Sequence, residues 1–186
     1  MFLTGSFDLV FDQRNRLSLP SAVRTELLRI AGGENGTQDG KTPPDTAESG
    51  LGKDAEPSAT IYILPGDRKD ILAIYEAGLF EASRLGIPPT AQLSTKARNW
   101  NRMEASLASK VEPDTQGRVV IPDRLMKLSG LTKEVTLVGA QDHYEIWTRE
   151  AYTRFLESQW ENYEANFEEN QAELAPYRAS NLPARG

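Results

Sequence analysis

A nine-residue phrase occurs twice in this chain and limits its fold more than any other feature. Asp12-Gln13-Arg14-Asn15-Arg16-Leu17-Ser18-Leu19-Pro20 returns as Asp114-Thr115-Gln116-Gly117-Arg118-Val119-Val120-Ile121-Pro122, offset by 102 positions. Aspartate, the arginine four residues on, and proline keep register. Asn15 and Gly117 match as well, because both residue types accept the left-handed backbone of a tight turn. Internal self-similarity of this kind fixes the architecture before any local reading.

In each copy a turn separates two apolar runs, which is a hairpin signature. Phe7–Phe11 enters the first turn and Leu17–Leu19 leaves it. Pro20 and Pro122 stand where a helix can begin. Val23, Leu27 and Ile30 then fall at helical spacing, as do Leu125 and Leu128, with Gly130 as a helix stop. A second strand pair follows in each copy: Ile61–Leu64 with Ile71–Tyr75, and Val135–Val138 with Tyr144–Trp147. Each half therefore reads strand, turn, strand, short helix, strand, turn, strand.

The offset falls from 102 to 74 between the first and second strand pairs, which locates a 28-residue insertion in the first half. The stretch 32–60 is rich in Gly, Pro and acidic residues, cannot bury enough apolar surface to offset chain entropy, and reads as a disordered loop. Each half without it is about 50 to 70 residues, a size that is marginal alone, so the halves share a core or pack on other subunits.

The chain has no cysteine, hence no disulfide framework and no thiolate site. It shows no signal peptide and no run of roughly 20 apolar residues, so a soluble, cytoplasmic protein is expected. The net charge is −6, yet residues 84–124 hold seven bases against four acids, while 32–60 holds six acids and two lysines. An acidic total is thus compatible with a local basic patch.

Ser94–Leu107 reads as a helix with Arg98 and Arg102 on one face: either a solvated surface or a set of phosphate contacts. Glu150–Leu174 reads as one long helix with an aromatic stripe (Tyr152, Phe155, Trp160, Tyr163, Phe167) and an acidic outer face. The stripe covers the second repeat or meets another subunit. The tail from Pro176 is expected to be disordered. His143, the sole histidine, reads as a plain surface residue in a turn. With no cysteine, no histidine pair and no Gly-rich phosphate loop after a strand, the chain is not expected to be an enzyme, and neither cofactor nor metal is implied.

These residues resemble the MraZ family of bacterial transcriptional regulators. The marks are the doubled Asp-x-x-(Gly/Asn)-Arg-x-x-x-Pro phrase, the opening Met1-Phe2-Leu3, Ala97–Arg102 between the halves, and Glu134–Gly139 leading to Glu145-Ile146-Trp147. The resemblance implies an α+β fold of two tandem AbrB-like swapped-hairpin β-barrel half-domains with short helices and a C-terminal helix. Residues 1–83 would form the first, 84–107 the connecting helical region, 108–156 the second, and 157–186 a helical extension and disordered tail. It also implies a homo-oligomeric ring, associated with the nucleoid, that binds double-stranded DNA at G-rich direct repeats upstream of the division and cell-wall gene cluster.

The DNA-binding residues expected on this basis are Asp12, Arg14, Asn15, Arg16, Arg24, Arg98 and Arg102, with Asp114, Gly117 and Arg118 structural or weakly contacting. Arg14 stands where the family usually has lysine, Asn15 where it has glycine, and Met126 where the second copy usually has arginine. Two readings of the first phrase remain side by side. Arg14 and Arg16 can project into the major groove and pair with guanine, or Asp12 can pair with Arg16 and simply pin the turn. A ring-forming interaction protein without specific DNA binding is the alternative function.

Overall fold

The two copies of the phrase each open the same run of elements. The computed structural model describes residues 2–32, 59–85, 87 and 92–181. The first copy builds β1 (Ser6–Val10), β2 (Arg16–Ser18), α1 (Ser21–Ala31), β3 (Ile61–Pro65), β4 (Leu72–Glu76) and α2 (Ala77–Arg84). After α3 (Thr95–Leu107), the second copy builds β5 (Ser109–Val111), β6 (Arg118–Val120), α4 (Asp123–Ser129), β7 (Glu134–Gly139) and β8 (Tyr144–Thr148). Helices α5 (Arg149–Glu161) and α6 (Tyr163–Asn181) complete the order. The result is a mixed α+β fold, and the expected element order is present in both halves. The insertion expected at 32–60 lies almost wholly outside the described residues.

The strands pair between copies. The larger sheet runs β1-β7-β8-β4-β3-β5 and the smaller is the ribbon β2-β6, with every pairing antiparallel. Exchanging the strands of the two copies reproduces this order in reverse. The register obeys the same exchange: Phe7 faces Leu137 on one edge and Ser109 faces Ile63 on the other. Leu17 opposite Val119, and Ala73 opposite Glu145, sit where the exchange maps each pair onto itself.

The hairpin expectation for the phrase is therefore corrected. The turn is tight, but β1 leaves it for β7 and β2 for β6. Pro20 and Pro122, which lack an N–H, close off β2 and β6 at three residues each. Pairing across copies instead buries Leu17 and Val119 completely. No closed barrel is found among the described residues: β1 and β5 are the two edges of an open sheet.

One core serves both copies. Leu3, Leu17, Val23, Leu27, Ile61, Ile63, Ile74, Val119, Ile121, Leu125, Val135, Leu137 and Ile146 belong to a single buried cluster. Of the helix positions read as apolar, Leu128 instead points to solvent, because α4 is only seven residues long and buries Leu125 and Ser129. Gly130 ends it in the left-handed conformation at φ 65°, the stop its sequence position implies.

The chain divides into two compact units, Met1–Arg149 and Glu150–Gly186. The single long helix expected over the second is two. Asn162 interrupts it, donating from Nδ2 to the Ser158 carbonyl at 3.0 Å, and α6 restarts with Asn166 N–H bonded to the Asn162 carbonyl at 2.9 Å. Asparagine competes in this way for backbone groups. The helix then continues through Pro176 to Asn181, past the point where a disordered tail is expected. Trp160, Tyr163 and Phe167 are exposed and meet one another, with ring centroids 5.2 and 6.3 Å apart.

His143 also departs from its expected role. Its ring stacks on Tyr75 of β4 at 4.6 Å, while Nδ1 lies 2.7 Å from Asp142 and Nε2 lies 3.5 Å from Glu145. It thus clamps the first copy's strand to the second copy's turn. Burial works to lower the ring's pKa, but the hydrogen bonds and charges of Glu145 and Asp142 outweigh it and raise it above 6.5. A group raised on folding contributes stability that is present below its unfolded pKa and is lost as pH rises through the folded one. Denaturant unfolding should therefore show stability falling as pH climbs from 6.5 through the raised value. His143→Gln should flatten that stretch of the curve.

Candidate nucleic-acid interface

Both turns are built by the same hydrogen bonds. Asp12 Oδ1 accepts from the backbone N–H of Arg14 at 2.8 Å and of Arg16 at 3.0 Å, and its Oδ2 accepts from Arg16 Nε at 2.6 Å. Asp114 repeats this with the N–H groups of Gln116 and Arg118, both at 2.9 Å, and with Arg118 Nε at 2.8 Å. An aspartate that binds backbone two residues on mimics a peptide turn, so each loop is closed by its first residue. Asn15 and Gly117 then take left-handed φ values of 55° and 73°.

Desolvation tends to raise the Asp12 carboxyl, but the N–H groups of Arg16 and Arg14 and the Arg16 guanidinium prevail and hold it at about 2. Asp114 is lowered by the Arg118 N–H first, against desolvation, with the Arg118 side chain and Gln116 N–H assisting. Both carboxylates stay charged far below neutral pH, so the turns keep their shape wherever the protein would meet a ligand.

The ribbon sets the two turns apart. The Leu19 N–H donates to the Gly117 carbonyl at 3.0 Å, and the Ile121 N–H donates to the Asn15 carbonyl at 3.0 Å. Each turn is thus stitched to the far end of the other copy's strand. Four residue steps, from Asn15 to Leu19, separate them, roughly 13 Å at extended rise.

Each turn is also backed by the first residues of the other copy's helix. At the second turn, a Cβ on Gly117 would lie 2.4 Å from Arg24 Cδ and 2.7 Å from its Nε. Arg24 of α1, one of the expected DNA-binding residues, therefore lies against the second turn at Gly117. At the first turn, Asn15 Nδ2 donates to Asp123 Oδ1 of α4 at 2.7 Å. Asp123 was not singled out by sequence. The available signal was the break in the repeat, because the matching position in the first copy is Ser21.

The remaining candidates separate by what their side chains touch. Arg14 is exposed, and its guanidinium makes no hydrogen bond or ion pair among the described residues, whereas Arg16 is half-buried on Asp12. Arg118 is likewise held on Asp114 at 2.8 Å. Arg98 turns back on the start of α3, donating to the Leu93 carbonyl at 3.2 Å and Thr95 Oγ1 at 3.1 Å. Arg102 donates to Asn99 Oδ1 at 3.3 Å. Neither bonds to either phrase among the described residues.

Substituting Gly117 tests the second turn. Gly117→Ala should destabilise the protein by at least about 1–2 kcal/mol for the left-handed conformation, plus the displacement of Arg24. Adding Arg24→Ala should recover the second part only, read as non-additive shifts in urea midpoint.

A family model described as "MraZ protein, putative antitoxin-like" matches residues 105–179, the second copy and the helices after it. The chain is 37% identical over 114 residues to a transcriptional regulator MraZ of Tropheryma whipplei, spanning 61% of this chain and 78% of that protein. It is 28% identical over 176 residues to a transcriptional regulator MraZ of Micrococcus luteus, covering 95% of this chain and 98% of the relative. One of Marinobacter nauticus is 24% identical over 154 residues, 83% of this chain and 86% of the relative. With the doubled turn geometry and relatives matched over most of their length, the chain belongs to the MraZ family.

Proposed function

We propose that this protein is a transcriptional regulator that reads double-stranded DNA through its first turn, acting by binding and not by catalysis. The observation that carries the proposal is Arg14: an exposed, unengaged guanidinium at the apex of a loop whose backbone Asp12 and Arg16 hold rigid. A side chain so presented can pair with both acceptors of a guanine in the major groove, at little further ordering cost to the loop. Arg16 shapes the loop and supplies charge beside it; Asp114, Gly117 and Arg118 keep a structural role or a weak contact. Arg98 and Arg102 are assigned to the phosphate backbone, outside the base-reading loop.

The target is a set of G-rich direct repeats upstream of the division and cell-wall gene cluster. Relatives named as transcriptional regulators support a regulator role. The exchanged strand order supports two AbrB-like swapped half-domains. A single turn per chain offers few contacts, so affinity comes from a ring of copies engaging tandem sites at high effective concentration. The exposed Trp160, Tyr163 and Phe167 stripe is assigned to contacts between copies. Such a ring works in the cytoplasm on the nucleoid.

Titration onto a labelled duplex of its own upstream region, beside a shuffled duplex and at two salt concentrations, tests this. Binding should be specific and steeply salt-dependent. Arg14→Ala should cost about 1–3 kcal/mol of discrimination while leaving the assembled mass unchanged. Equal, feeble binding of both duplexes by the wild type would overturn the proposal in favour of a ring-forming interaction protein. By light scattering, Trp160→Glu with Phe167→Glu should lower the assembled mass.

A further inference from the structure

We infer that Asp123, in the second copy, is the positioning residue for the first copy's reading turn. The inference rests on the assignment of Arg14 as the base-reading side chain. Asn15 is the one residue of the first phrase in a left-handed conformation, at φ 55°. A non-glycine residue there carries strain unless its surroundings hold it. The only side-chain hydrogen bond of Asn15 among the described residues goes to Asp123 Oδ1, at 2.7 Å and 108 positions away in sequence. A charged acceptor makes this a short, directional contact.

Asp123 has a second, blander role to be separated from this one. As the first residue of α4 it would ordinarily complement the helix N-terminus. Pro122 at the N-cap makes no side-chain cap bond, and the Oδ1 of Asp123, the acidic residue of the first turn, is engaged by Asn15 of the neighbouring turn. The second turn needs no such device: Gly117 adopts φ 73° without a side chain, and Arg24 lies across it where a side chain would be. The two turns are thus held by different means. The one carrying Arg14 has a tether to α4, and that tether fixes the peptide from which Arg14 projects.

Asp123→Ala, Asp123→Asn and Asn15→Gly would be compared with wild type by hydrogen exchange and by titration onto the specific and shuffled duplexes. In Asp123→Ala, exchange over residues 12–19 should quicken while that over 114–121 holds. The specific-to-shuffled affinity ratio should fall about tenfold, with the assembled mass unchanged. Asp123→Asn, which keeps an acceptor oxygen, should recover most of the ratio. In the Asn15→Gly background, Asp123→Ala should change neither readout, because both the strain and the bond are already gone. A helix-terminus role would instead make Asp123→Ala act equally in both backgrounds. That result, or unchanged exchange over 12–19, overturns the inference. A wild type that fails to discriminate the duplexes refutes the DNA reading, while the exchange data still judge the tether on their own.

Discussion

Two backbone hydrogen bonds organise the molecule: Leu19 to the Gly117 carbonyl and Ile121 to the Asn15 carbonyl. They join the two copies of the phrase across a ribbon whose central pair, Leu17 and Val119, is fully buried. Without that pairing, three-residue strands ending at proline would have no partner. Truncating either buried side chain removes transfer energy and leaves a cavity, typically about 2–5 kcal/mol for a leucine. The wider sheet follows, since β1 and β5 reach β7 and β3 only once the turns are crossed.

A symmetric frame holds chemically unlike ends. Position for position, Arg14 is matched by Gln116, Asn15 by Gly117, Ser21 by Asp123, and Arg24 by Met126. These differences concentrate at the two turns and the helix starts behind them, while the aspartate–arginine pair that shapes each loop is kept. Scaffold and presented surface are thus separable: the same hydrogen bonds display an arginine at one end and an amide at the other. The second-copy aromatic and acidic residues around His143 do comparable joining work on the sheet, where Arg68 lies 5.1 Å over Trp147 and His143 stacks on Tyr75.

Much of this was legible in the residues. Phrase, helix starts at Pro20 and Pro122, and strand runs all report local preferences, and the element order follows from them. Which strand pairs with which does not, because Phe7 has the same alternation whether it faces its own hairpin or Leu137. In the site, the Asp12–Arg16 pair is one of the two readings the first phrase allows, and the structure contains it together with its counterpart Asp114–Arg118. The place of Arg24 beside Gly117 and the contact of Asp123 with Asn15 are not legible for one reason: each lies at the other copy's turn, a relation that exists only after the strands cross. His143 likewise takes its environment from Tyr75, 68 positions earlier.

The crossed pairing also shapes how the chain is born. Phe7 meets Leu137, a separation of 130 positions. On a ribosome, β1 and β2 therefore emerge long before their partners exist, and the first half is exposed with unsatisfied strand edges until nearly the whole globular part is made. Contacts this distant in sequence are slow to form and leave nascent chains open to mispairing with one another. Neighbouring nascent copies carry the same phrase, so the swap that closes one chain on itself could equally join two.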